Sequence, residues 1–278
     1  NSKNKKISKY LPSLLGGGAE RIMVILANEF AMRDIQVDLV LSKAIGPYLK
    51  DVQPNIRIVN LNAKRLIYSI IPLIRYIRKE KPKVMLSALN SSNIIAVIAR
   101  NISGIRFKLV ISERAVSSVA LKDNPLIRAK FIPLLIKVFY KKADAIIAVS
   151  AGVADDLVSQ YNQSRDKISV VYNPIVTNQL IKLSNEKFSH KWFRNKEVPV
   201  ILAIGRLTSQ KNFVLLLDAF SLLLETNDAR LVILGEGESK NNLIEQVSRL
   251  KLKDKVIFPG FETNPFKWMK NASLFVLS

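Results

Sequence analysis

The chain has 278 residues, 49% of them apolar, with no cysteine and a formal net charge of +21 at pH 7. That composition excludes a disordered polymer, a disulfide-stapled module and a thiolate metal site, and no apolar run reaches the roughly 18 residues of a spanning helix. The charge sits early: 28 of the 43 Lys and Arg, but only 12 of the 22 acids, precede residue 179. Such an excess suits anionic lipid, anionic substrates or nucleic acid, against the plainer reading of a solubility charge.

In chain order, Lys5–Leu11 is a poor first strand, because Ser8 and Lys9 interrupt it. Leu15-Gly-Gly-Gly-Ala-Glu-Arg21 precedes a helical pattern through Ile22, Ile25, Leu26 and Phe30. Three glycines admit close approach of a ligand to the backbone, and free N–H groups at a helix start favour an anion. An ordinary flexible turn would use the same residues. The run is not a dinucleotide fingerprint: Arg21 stands where the last Gly of G-x-G-x-x-G belongs, and the next strand, Val37–Leu41, ends at Ser42 rather than at an acid.

Further strands are expected at Ile56–Asn60, Val84–Ser87, Phe107–Ile111, Ala145–Val149 and Ile168–Val171, with helical patterns between several of them. This alternation is that of a parallel sheet with helices on both faces. Two of the helices mix basic and apolar faces. In Asn124–Lys142, Lys130, Lys137 and Lys141 fall within about 40° of one another on a helical wheel. Leu126, Ile127, Phe131, Leu134, Leu135 and Val138 form the apolar side, and Pro133 kinks the helix or marks its start. Ala63–Glu80 carries Arg75, Arg78 and Lys79 beside its Ile and Leu run. Such helices can lie on an anionic bilayer; core helices with a solvated basic rim read the same way.

The rhythm breaks at Asn173-Pro174 and restarts with strands at Val198–Ile204, Arg230–Leu234, Val256–Phe258 and Leu274–Leu277. The expected organisation is a first domain over 1–172, a connection over 173–197 and a second, incomplete domain over 198–278. The most informative stretch is Pro199-Val-Ile-Leu-Ala-Ile-Gly-Arg-Leu-Thr-Ser-Gln-Lys-Asn212. A buried strand ends at Gly205, a helix is expected from about Gln210, and Arg206 and Lys211 lie between. Two cations at a strand C-terminus beside a helix start suit a diphosphate; a solvated basic loop is the alternative. Gly235-Glu-Gly-Glu-Ser239 and Phe258-Pro-Gly-Phe261 follow neighbouring strands, so these loops can share one crevice.

The ordered set Gly-Gly-Gly-Ala-Glu-Arg (16–21), Val-Ser-Ala-Gly-Val-Ala (149–154), Tyr-Asn-Pro-Ile (172–175), Gly-Arg-Leu-Thr-Ser-Gln-Lys-Asn (205–212), Gly-Glu-Gly (235–237) and Pro-Gly-Phe (259–261) resembles the retaining glycosyltransferases of family 4. The resemblance implies an α/β GT-B fold, two Rossmann-like parallel-sheet domains facing a cleft. It implies that Arg206 and Lys211 are the catalytic cations, binding the diphosphate of a nucleotide-sugar donor and stabilising the departing nucleoside diphosphate. Gly16, Gly17, Gly18, Gly205, Gly235, Glu236, Gly237, Pro259, Gly260 and Phe261 match donor-binding positions, and Ser150 and Gly152 lie on the acceptor side. In place of the His many members carry, the chain reads Ile111-Ser-Glu-Arg-Ala115, which resembles the variant of members that transfer amino sugars. Glu113 and Arg114 then touch substrate on the acceptor side, or form a surface ion pair.

No cofactor and no metal are expected: there is no Asp-x-Asp pair, and the lone His190 lies in the presumed connection. The implied activity is transfer of an N-acetylhexosamine or hexose, with retention, from a UDP-sugar to a lipid-linked glycan acceptor. Donor binding, domain closure and same-face attack by the acceptor hydroxyl would follow in that order. The expected location is the cytoplasmic face of the plasma membrane, held peripherally through the basic first domain. The family's Glu-x7-Glu element would follow Leu274–Leu277, so the 278-residue chain is expected to be inactive or impaired. The alternatives are a non-catalytic donor-binding protein and a basic nucleic-acid-binding module; no recognition-helix motif supports a specific nucleic acid.

Overall fold

The computed structural model describes residues 6–122, 131–176, 178–194 and 197–277. The chain divides into two units, Asn1–Pro174 and Ile175–Ser278. In the first unit, seven parallel strands form one sheet: β1 (Lys6–Leu11), β2 (Gln36–Leu41), β3 (Arg57–Asn60), β4 (Val84–Ala88), β5 (Lys108–Glu113), β6 (Ala145–Ala148) and β7 (Ile168–Val170). Their order is β3-β2-β1-β4-β5-β6-β7. The helices are α1 (Gly18–Met32), α2 (Ile70–Glu80), α3 (Asn90–Ser103), α4 (Ser117–Lys122), α5 (Ile132–Phe139) and α6 (Ala151–Tyr161). Buried residues of α2, α3, α5 and α6, among them Ile77, Val97, Ile136 and Leu157, share one core with Tyr10, Met85, Ile111 and Ile146 of the sheet. Met23, Val24 and Ala27 of α1 pack with Leu11, Leu39 and Leu86 in a separate core.

β1 corrects the expectation of a poor strand. It lies inside the sheet, pairing with β2 and β4, and Ser8 and Lys9 are both buried completely. Their polar atoms find partners from distant chain: Ser8 Oγ lies 2.7 Å from Tyr76 Oη. Lys9 Nζ donates to the Met23 carbonyl at 3.2 Å and sits 4.7 Å from the centre of the Phe30 ring. Burial, and then the Arg114 charge, push the Lys9 ammonium well below the ordinary lysine range.

The helical expectation over Ala63–Glu80 resolves into a 3-10 turn, Leu66–Ser69, followed by α2. For Asn124–Lys142, residues 124–130 lie outside the described residues. Pro133 stands in the first turn of α5, marking a start rather than a kink, because a proline there gives up no helical hydrogen bond.

The second unit has four parallel strands, β8 (Val200–Ile204), β9 (Arg230–Leu234), β10 (Val256–Gly260) and β11 (Leu274–Phe275), in the order β10-β9-β8-β11. Its helices are α7 (Asn178–Ser184), α8 (Lys191–Arg194), α9 (Phe213–Leu223), α10 (Lys240–Arg249) and α11 (Phe266–Asn271). Leu217, Phe220, Leu231, Ile233, Leu243 and Val247 fill its core. The stretch expected to connect the domains supplies two of these helices. Trp192 of α8 is buried against Val200, Leu202, Val232 and Trp268. The Asn264 side-chain amide donates to the Leu183 carbonyl at 2.9 Å and to Glu186 at 2.8 Å. The polar composition of 177–197 hides these aromatic anchors.

At the N-terminal edge of the first sheet, Asp38 is buried and accepts from Tyr76 Oη at 2.6 Å, Arg57 Nε at 2.8 Å and Lys6 at 3.0 Å. Glu80 accepts from the same two cations. Burial works against ionising Asp38, but Arg57, Tyr76 and Lys6 outweigh it and hold the carboxyl below its usual range. Hydrogen bonds from Arg57 and Lys6 hold Glu80 down at about 2. Both groups are lowered on folding, so their contribution is complete above the unfolded carboxylate range and is lost as pH falls through it towards 2. Asp38→Asn is therefore expected to cost about 3–5 kcal/mol at pH 7 by urea denaturation. Its deficit against the wild type should shrink as the titration is taken below pH 4; a constant deficit from pH 7 to pH 3 contradicts this account.

Candidate functional site

In a parallel sheet all strands end on one edge, and a ligand crevice forms where the strand order reverses. In the second unit that reversal falls between β8 and β11, at the end of which β8 runs into Gly205 and Arg206. Backbone hydrogen bonds carry the ladder past the strands. Gly205 N donates to Leu234 O at 3.0 Å, Leu207 N to Glu236 O at 3.0 Å, Gly235 N to Gly260 O at 2.8 Å and Ser239 N to Leu207 O at 2.9 Å. The ends of β8, β9 and β10 and the loops that follow are thus stitched into one surface.

Two glycines make this stitching possible. Gly235 has φ +141°, and a methyl group there would lie 1.9 Å from the Gly205 carbonyl oxygen. One on Gly237 would lie 2.3 Å from the Leu207 carbonyl oxygen. Both positions exclude any side chain. Gly260 sits beside Glu236, whose Oε1 accepts from Lys240 Nζ at 2.8 Å. Pro259 and Phe261 are exposed at the same end.

Arg206 and Lys211 are exposed in the loop after β8. The aliphatic stem of Lys211 runs over Gly205, with Cγ, Cδ and Cε 3.3 Å from where a Gly205 side chain would begin. This lays the lysine across the end of β8, the strand that leads into Arg206. The helix starts later than Gln210: Ser209–Lys211 form a 3-10 turn, Asn212 takes φ +45°, and α9 begins at Phe213. The left-handed residue sets the turn apart from the helix, so the cations sit on a loop and not in the first helical turn.

In the first unit the order reverses between β1 and β4. Past β1, the Gly16 carbonyl accepts from Tyr48 Oη at 3.3 Å, Gly17 caps α1 and Gly18 opens it. Nothing lies within 4 Å of a side chain built on Gly18 or on Gly152, so packing does not demand glycine at either position. Ser150 caps α6 by accepting from Val153 N at 3.3 Å.

Glu113 departs from expectation. Neither on the surface nor open to an acceptor, it is buried to 1% exposure at the end of β5. Side chains alternate along a strand, and Glu113 shares the helix-covered face with Ile111. Its carboxylate accepts from Tyr140 Oη at 2.6 Å and from the Arg114 amide at 3.2 Å. Arg114 is partly buried: its guanidinium donates to Asn173 and to the Met23 sulfur at 3.4 Å, while Nε is buried and has no hydrogen-bond partner among the described residues.

Sequence reasoning missed the edge past β4. Leu89 has φ +77°, a costly conformation for its side chain, and hands over directly to α3. Asn90 donates to Ser117 Oγ at 2.9 Å, and Asn93 to Ser112 O and Tyr140 Oη, both at 3.0 Å. The signal was the polar run Asn90-Ser-Ser-Asn93 directly after a buried strand. Among the described residues, no group of three or more His, Asp or Glu is placed to hold a metal.

The family model "Glycosyltransferase Family 4" matches residues 16–179, and "Glycosyl transferases group 1" matches 184–278. A relative from Campylobacter jejuni, N-acetylgalactosamine-N,N'-diacetylbacillosaminyl-diphospho-undecaprenol 4-alpha-N-acetylgalactosaminyltransferase, is 30% identical over 99% of this chain and 74% of its own length. The chain belongs to glycosyltransferase family 4. An uncharacterized glycosyltransferase from Methanocaldococcus jannaschii is likewise 30% identical, over 84% of this chain and 61% of its own length. Among solved structures, Anabaena HepE in complex with UDP and glucose superposes with a TM-score of 0.79 at 17% identity, covering 99% of this chain and 74% of that one. WaaG, a glycosyltransferase involved in lipopolysaccharide biosynthesis, gives 0.72 at 12% identity, covering 98% and 74%. The two Rossmann-like sheets are those of the GT-B fold that the family resemblance implied.

The close approach of the loops sets a stability test. Gly235→Ala is expected to lower stability by more than about 2 kcal/mol by chemical denaturation, whereas Gly152→Ala should stay within roughly 0.5 kcal/mol of the wild type or gain slightly. Equal stabilities for the two variants contradict the stitched arrangement.

Proposed function

We propose that the protein transfers a sugar, with retention, from a UDP-linked donor to a lipid-linked saccharide in glycan or surface-polysaccharide assembly. The observation that carries this reading is the pair Arg206 and Lys211, exposed on the stitched loops at the reversal point of the second sheet. When the bond between sugar and diphosphate breaks, negative charge grows on the departing oxygen. Two cations fixed at a strand end stabilise that charge without reorganising. Gly205, Gly235, Glu236, Gly237, Pro259, Gly260 and Phe261 form the surrounding donor surface. HepE, whose structure holds UDP and glucose, has the same fold, which supports a UDP-linked donor.

On the first unit, Gly16, Gly17 and Gly18 open α1 at the other reversal point, and Arg114, Ser150 and Gly152 lie at strand ends of the same sheet. We assign Arg114, Ser150 and Gly152 to the acceptor, and Gly16, Gly17 and Gly18 to donor binding. The Campylobacter relative is named for a diphospho-undecaprenol saccharide, which supports a lipid-linked acceptor and an N-acetylhexosamine as the sugar. The helical face of this unit supports a peripheral membrane position on the cytoplasmic side. Ile67, Ile71, Phe131 and Leu134 are each more than half exposed, and Lys64, Arg65, Arg75, Lys137 and Lys141, near them in the chain, are exposed too. Exposed apolar side chains with cations close to them in the chain suit an anionic bilayer. Among the described residues, no helix is long and apolar enough to cross a membrane.

Isothermal titration with UDP tests the donor site. Arg206→Ala and Lys211→Ala should each weaken UDP binding roughly ten- to hundredfold, the loss of one charge-assisted hydrogen bond. Unchanged affinity in both variants refutes the assignment. Supplying UDP-GalNAc, UDP-GlcNAc or UDP-glucose with an undecaprenyl-diphosphate-linked saccharide then reads transfer, and the anomer of the product reads retention. UDP binding without transfer is the outcome expected of an impaired chain, and transfer at rates typical of enzymes overturns that expectation.

Flotation at low salt tests the membrane face. The chain should rise with vesicles containing anionic lipid and remain behind with neutral ones, and 0.5 M salt should abolish the difference. Equal flotation with both vesicle types removes its electrostatic basis.

A further inference from the structure

Glu113 is a carboxylate that folding places at a cost, and the structure shows what it holds. Three donors converge on it: Tyr140 Oη at 2.6 Å, the Arg114 amide at 3.2 Å and the Ser117 hydroxyl. Ser117 is the first residue of α4 and in turn accepts from Asn90 of α3. Tyr140 accepts from Asn93, which also donates to the Ser112 carbonyl on β5. One carboxylate therefore ties the end of β5, the start of α4, the start of α3 and the turn after α5. The residue suspended between these ties is Arg114. Its guanidinium reaches Asn173, the residue before Pro174 at the unit boundary, and Met23 on α1.

We propose that Glu113 is a positioning residue, which fixes the β5–α4 turn and so places Arg114 on the acceptor edge without touching substrate. The proposal rests on the transferase reading above for the reaction it serves, but not for the hold it describes. An ionised carboxylate is acceptor only, so it can use all three donors at once, whereas a protonated one must turn an O–H towards a neighbour and give up a bond.

Burial pushes the Glu113 carboxyl up to about 7, against the hydrogen bonds from Tyr140, the Arg114 amide and Ser117. Asp156 of α6 pushes it the same way. Tyr161, also of α6, faces the same charge, and burial drives the Tyr140 hydroxyl well above its ordinary range, so it stays a donor. Arg114 is the cation facing the group from its own strand. A carboxyl raised on folding opposes stability as pH rises from its unfolded value through its folded one. The fold thus gives up stability above neutral pH to keep this acceptor ionised, the trade expected of a functional group rather than a structural one.

The test compares wild type, Glu113→Gln and Tyr140→Phe. Hydrogen-exchange protection of amides 114–118 at pH 8 is expected to fall at least tenfold in Glu113→Gln and by less in Tyr140→Phe, with UDP affinity unchanged in both. Whatever transfer the wild type retains should rise about tenfold between pH 6 and pH 8. That limb should vanish in Glu113→Gln and move to higher pH in Tyr140→Phe, which loses a donor to the ionised form. Wild-type protection in Glu113→Gln overturns the proposal. Lost protection with an intact limb and intact acceptor KM reduces Glu113 to a structural part and also overturns it. Absence of transfer, as expected of an impaired chain, leaves the exchange data to decide alone whether Glu113 holds the turn, whereas absence of UDP binding in the wild type defeats the transferase reading.

Discussion

Parallel strands all end on the same side, so their loops must crowd onto one edge of the sheet. Much else in this molecule follows from that constraint. In the second unit the crowding is resolved by bringing backbone against backbone: Gly235 packs on the Gly205 carbonyl and Gly237 on the Leu207 carbonyl, with ladder-like hydrogen bonds running on past the strands. The two cations Arg206 and Lys211 stand exposed at that edge. A βα loop built in this way is rigid at its base and charged at its tip, which suits electrostatic stabilisation of a leaving group.

The two edges of the first sheet show opposite electrostatics. At the N-terminal edge, Lys6 and Arg57 surround Asp38 and Glu80, and the cations hold Glu80 down at about 2. At the C-terminal edge, Glu113 is buried with neutral donors and a second acid nearby, and burial lifts it to about 7. The first arrangement adds stability above the carboxylate range. The second subtracts it as pH rises towards neutral. The strained Leu89 lies at the weakened edge too.

Much of this was legible in the sequence, because it depends on local pattern. The strand Arg230–Leu234 was bounded by its apolar run, and the loop from Gly205 to Asn212 stood out by placing cations after a buried strand. Four features were missed, for separate reasons. β1 carries Ser8 and Lys9 inward, and the groups that satisfy them, Tyr76, Met23 and Phe30, lie far along the chain. The stretch 177–197 is polar on average, and what joins it to the second unit, packed aromatics with Trp192 foremost and the Asn264 hydrogen bonds, depends on residues far along the chain. The inward direction of Glu113 was available in principle, since it is two residues from the buried Ile111, but its charge argued for the surface. The positive φ of Leu89 has no residue signature at all.

The central claim is that the loops after β8, β9 and β10 form a single surface that takes a diphosphate. Backbone amide chemical shifts recorded while UDP is titrated into the protein test it most directly. The account predicts that Gly205–Leu207, Gly235–Gly237 and Gly260–Phe261 shift together with one affinity, while the opposite ends of the same strands, at Arg230 and Val256, stay still. Shifts centred on the lysines at 251–255, or spread over the basic surface without a common affinity, would contradict it.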